Sequence, residues 1–154
     1  DLDPQKINLW WCFFVNNQYR ILQGETAQST AELADTFGSR LNKVGRMLIC
    51  FGDVTTSLYV QRLWCVFEVF VARREDIPCE VILPDSIAVT ENISVKQLKE
   101  ICKVDSKRAE ATSIEDEKNI KHLIEAESSF DKVNMTVQAA LFSDVCNWVF
   151  SNDE

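Results

Sequence analysis

The residue in this sequence best placed to do chemistry is Glu68. It is the single charge in the run Leu63-Trp64-Cys65-Val66-Phe67-Glu68-Val69-Phe70-Val71-Ala72. On a helix it shares its face with Trp64, Cys65, Val71 and Ala72, at i−4, i−3, i+3 and i+4. All four are apolar or nearly so, so a carboxylate there is expected to be at least partly desolvated. Burying an unpaired charge costs several kcal/mol or raises the pKa, which makes such a group a candidate for acid/base or electrostatic work. The competing reading is structural: Glu68 pairs with Arg62, Arg40 or Arg46, or reaches the rim of the helix face.

Other chemistries are poorly supplied. His122 is the one histidine, set between Lys121 and Leu123 on a charged stretch, and reads as a solvated side chain. A histidine-rich metal centre therefore cannot form, and nothing local recommends a Ser-His-Asp or Cys-His site. No G-x-x-x-x-G-K-[ST] or G-x-G-x-x-G loop is present, and only four glycines are available to cradle phosphate. The six cysteines include no C-x-x-C pair and no zinc spacing. Cys12, Cys50 and Cys65 sit inside apolar runs and are expected to be reduced and inaccessible. Free thiols suit the cytoplasm or another reducing compartment. The sequons at Asn92 and Asn134 weigh little against them.

The elements that would position Glu68 alternate. Residues 7–15, INLWWCFFV, have the length and composition of a buried strand. A helix is expected over 26–44, with Leu33, Phe37, Leu41 and Val44 on its apolar face and Gly45 as its C′ residue. A second strand, 46–52, precedes a helix over 61–75, and a third strand spans 79–83. Strands alternating with helices imply right-handed crossovers and an open parallel β-sheet flanked by helices. The Glu68 helix would then start near the carboxyl edge of the sheet, where such folds bind ligands. Beyond residue 90 the pattern is helical: 94–103, then a helix opened by a Thr112–Glu115 capping box and running to about 128, then a last helix capped by Asp131. The last helix carries a stripe of Val133, Val137, Leu141, Val145 and Trp148. The reading is one α/β domain over 1–154, with an α/β part over 1–90 and an all-α part over 91–154.

The chain has 154 residues, is 46% hydrophobic and carries a net charge of −8. Its length suits a single domain with a real core. Its acidity argues against nucleic acid or anionic lipid as main partners. The longest apolar run, Leu9 to Val15, falls far short of the ~20 residues that span a bilayer, so no membrane insertion is expected. The first residue is Asp, which reads as a fragment or a processed product.

Strand 46–52, a polar loop and then Trp64-Cys65-Val66-Phe67-Glu68-Val69 resemble the W-C-x-x-E helix of TIR (Toll/interleukin-1 receptor) domains, particularly the plant type. The sequence is more similar still to a TIR-like domain of protists, algae and fungi, through Trp10-Trp11-Cys12-Phe13-Phe14-Val15-Asn16-Asn17-Gln18 and Arg62-Leu63-Trp64-Cys65. Asp105, Ala109, Asp116, Ile120 and Asn134 match the same pattern in the tail. A weaker similarity reaches the fungal heterokaryon-incompatibility domain. The resemblance implies a TIR/flavodoxin-like fold and one of two uses. The first is a signalling domain that assembles with itself or with protein partners. The second is an NAD+ hydrolase that cleaves the nicotinamide–ribose bond with Glu68 as the catalytic carboxylate, Trp64 supporting the nucleotide and NAD as substrate, no further cofactor being required. The strand that opens the family's domain has no counterpart before residue 7, and Cys12 stands where the family's first strand carries an aspartate. Both departures fit the assembly use.

Overall fold

The computed structural model describes residues 30–52, 58–83 and 94–151. The expected strand 7–15 and the start of the first expected helix lie outside them. The described part is mostly helical, with six helices and a two-stranded parallel sheet.

Helix α1 spans Thr30–Val44. Phe37 and Leu41 are buried, but Val44 turns out to solvent. It is the last residue before the cap, where the chain already leaves the core. Gly45 then adopts φ 71°, and its N–H donates to the Leu41 carbonyl at 2.8 Å, the left-handed cap expected of a glycine there.

Strands β1 (Met47–Cys50) and β2 (Cys79–Ile82) pair in parallel, with Ile49 opposite Val81 and Cys50 opposite Ile82. The pairing and its direction agree with the sequence reading. Ile49 and Val81 are buried on one face, whereas Leu48, Cys50 and Ile82 point to the other and are exposed. Cys50 therefore departs from the expectation of an inaccessible thiol. Alternation along the strand places it opposite in orientation to Ile49.

The connection between the strands holds α2 (Leu58–Gln61) and α3 (Leu63–Arg74), where the sequence suggests a polar loop and then one helix over 61–75. Arg62 interrupts it with an extended backbone, φ −90° and ψ 115°. Helix α3 is central among the described elements. It packs against α1, α2 and β2, and against two helices of the C-terminal half. That position explains a sequence apolar almost all round. The helix closes in a Schellman motif: Asp76 takes φ 56°, its N–H meets the Arg73 carbonyl, and the Ile77 N–H reaches Ala72 at 2.8 Å.

The remaining helices are α4 (Val95–Ile101), α5 (Ile114–Glu127) and α6 (Phe130–Ser151). A capping box of Ser94 and Gln97 opens α4. The cap of α5 is Ser113, whose hydroxyl accepts from the Asp116 N–H, one residue later than the expected Thr112–Glu115 box. At α6 the Ser129 hydroxyl accepts from the Lys132 N–H, so Asp131 lies inside the first turn instead of capping it. There its charge complements the helix dipole. Val133, Val137, Leu141 and Val145 are wholly buried and Trp148 partly so, as the stripe implies. Helix α6 packs on α3 and β2, so both halves of the chain share one core. Arg73 of α3 and Asp144 of α6 add an ion pair of 2.7 Å across that contact. Among the described residues, no helix is long and apolar enough to cross a membrane.

Candidate functional site

Glu68 sits in the middle of α3. The next turn of its face, Val71 and Ala72, is buried, while the preceding turn, Trp64 and Cys65, is half-buried, as Glu68 itself is. Desolvation pushes its carboxyl up to about 7, and the Arg62 cation acts against that shift without cancelling it. At neutral pH about half of the Glu68 side chains are therefore protonated. Among the described residues no cation lies within ion-pair distance of it. Arg46, one of the expected partners, is bound instead to Glu80 across the sheet.

Trp64 packs edge-on against Phe67, with ring centroids 6.4 Å apart and planes at 77°. That contact gives it a packing role. Tyr59, which the sequence reading passed over, belongs to the same neighbourhood. Burial raises its hydroxyl pKa well above the usual value, and the Cys65 and Glu68 charges push the same way. Its ring stacks on Phe51 at 5.3 Å, just past the end of β1, which holds the start of this helical segment at the carboxyl edge of the sheet. A polar-tipped aromatic inside Leu58-Tyr59-Val60 was the available signal. The break at Arg62 shifts the helical phase, so counting back from Glu68 does not reach Tyr59.

The break is itself held from the other half of the chain. The Leu63 N–H donates to the Glu110 carbonyl and the Glu110 N–H donates to the Gln61 carbonyl, each at 2.9 Å. The loop carrying Glu110 is fixed in turn by Ser106, which is wholly buried. Its N–H and hydroxyl donate to Asn134 Oδ1 at 2.9 and 2.7 Å. Thus Asp105, Ala109 and Asn134 belong to a latch on the helix that bears Glu68.

Among the described residues no cluster of three or more His, Cys, Asp or Glu could hold a metal ion. His122 is exposed on α5, as its sequence context suggests. No family model, curated protein or solved structure matches the chain.

Proposed function

We propose that the chain is a TIR-like signalling domain that works by protein assembly. The observation that carries this reading is the surface of the helical half. Ile114 and Met135 are 75% and 73% exposed, large apolar side chains presented to solvent on α5 and α6. Meanwhile the one candidate catalytic group lies half-buried in the middle of the central helix. Large apolar side chains left in water are what an interaction surface offers. Sedimentation velocity over a range of protein concentrations tests the reading, run beside a nicotinamide-release assay. Association without nicotinamide release is the expected result.

A second reading is favoured by one observation, the desolvated carboxyl of Glu68 without an ion-pair partner among the described residues. In NAD+ hydrolysis the nicotinamide–ribose bond breaks, nicotinamide departs as a neutral base, and the ribose carbon becomes cationic. Water then adds to that carbon and releases a proton. A fixed carboxylate stabilises the developing cation. Only the ionised form of Glu68 can do this, so such activity would climb as pH passes through about 7. Turnover that disappears in Glu68→Gln would make this the correct reading.

A further inference from the structure

A groove of about 420 Å³ opens between α4 and α6, lined by Lys99, Asn134, Met135, Gln138, Ala139 and Phe142. In a chain of net charge −8, its lining contains one cation and two amides and no carboxylate. The Lys99 ammonium stands 5.8 Å from the centre of the Phe142 ring. It meets no carboxylate among the described residues, unlike Lys103 and Lys121, which have acidic partners on their own helices or close by. The floor thus offers a positive charge held over an aromatic face, and Met135 provides an exposed, adaptable apolar contact.

The complementary feature lies on the same chain. Ile114, the most exposed large apolar side chain described, begins α5. Glu115 follows it, exposed, and its carboxylate meets no cation among the described residues. Neighbouring Glu117 is already tied to Lys121 at 2.7 Å. We infer that the groove between α4 and α6 receives the Ile114–Glu115 turn of a second copy of this chain, with Ile114 against Met135 and Phe142 and Glu115 facing Lys99. The inference rests on the assembly reading and names its partner. Opposite charges give the contact its register, and the apolar pair gives it its burial. General repulsion between acidic copies and the small patch make the contact weak, so association is read at high protein concentration.

Reciprocal charge reversal tests it. Lys99→Glu and Glu115→Lys both change exposed side chains, and a thermal melt of each verifies the fold. In sedimentation velocity, wild type associates as concentration rises, and each variant alone associates about tenfold more weakly or worse, because like charges then face each other. An equal mixture of the two regains association, since the acid placed at position 99 of one chain meets the base placed at position 115 of the other. Ile114→Asp abolishes association in either background. Wild-type association that neither reversal changes, or a mixture that is not rescued, would overturn the interface while leaving assembly by another surface standing. A wild type that stays monomeric at every concentration would overturn it together with self-assembly, while the nicotinamide-release assay decides the catalytic reading independently.

Discussion

Arg62 and Glu110 face each other as an isolated parallel bridge, 48 positions apart in the chain by their numbering, and the bridge lies at the break between α2 and α3. Every hydrogen bond in it is backbone to backbone. The C-terminal half therefore sets where the helix bearing Glu68 begins, and it does so without using the Glu110 side chain.

Two substitutions at that position should behave in opposite ways. Glu110→Ala keeps both hydrogen bonds and should leave stability within about 0.5 kcal/mol. Glu110→Pro removes the N–H that donates to the Gln61 carbonyl, and should lower stability by about 0.5–1.5 kcal/mol through the loss of that hydrogen bond. Urea unfolding of the two variants checks this, and equal stabilities would contradict the bridge.

The Asn134 side chain should prove structural. Asn134→Ala leaves the N–H and the hydroxyl of wholly buried Ser106 without their acceptor. A cost of about 1–3 kcal/mol in urea unfolding is expected. Ser106→Ala removes only the hydroxyl and should cost less. The reverse order would show that Oδ1 is not the shared acceptor.

Much of this arrangement can be read along the chain, because it depends on local signals. Gly45 at a helix end, the parallel pairing of β1 and β2, and the Val133–Val145 stripe follow from backbone preference and periodicity. Other features depend on contacts far apart in sequence. Nothing in Gln61-Arg62-Leu63 announces a break, because the break is made by Glu110. Met47-Leu48-Ile49-Cys50 is apolar throughout, so its composition does not reveal that Leu48 and Cys50 face away from the core. Adjacent polar residues blur the caps: Thr112 and Ser113 compete for one helix start, and Ser129 and Asp131 for another. The isolated charge of Glu68 was visible, but its neighbour Tyr59 comes close only through the fold.

Thiol labelling reads out which cysteines the core covers. Cys50, exposed on β1, should react first among the described thiols. Cys102 should react last: it is wholly buried, and burial, followed by the charge of Cys146, pushes its thiol up to about 12, which leaves almost no thiolate. Mass spectrometry of a labelling time course without denaturant gives the order. Cys102 labelled ahead of Cys50 would contradict the packing.

The raised pKa of Glu68 makes stability depend on pH in a definite direction. The unfolded carboxyl titrates near 4.5 and the folded one at about 7, so between these values the folded chain holds the extra proton. Stability contributed by this group is therefore greatest below about 4.5, falls as pH rises to 7, and stays at its lower level above. Glu68→Gln removes the charge and keeps the shape. It should raise stability at pH 8 by about 2–3 kcal/mol, roughly 5–10 °C in Tm, with the gain shrinking toward zero near pH 4.5. Thermal melts at both pH values test this. A variant less stable than wild type at pH 8 would mean that the ionised carboxylate is held by a cation.

Nicotinamide release from NAD+ at pH 8, where Glu68 is mostly ionised, separates assembly from catalysis most directly. The measurement compares wild type, Glu68→Gln and a protein-free control by chromatography. An assembly domain should release no nicotinamide above the control, in either form of the protein. Release by wild type that disappears in the folded Glu68→Gln variant would contradict the assembly reading and identify Glu68 as a catalytic carboxylate.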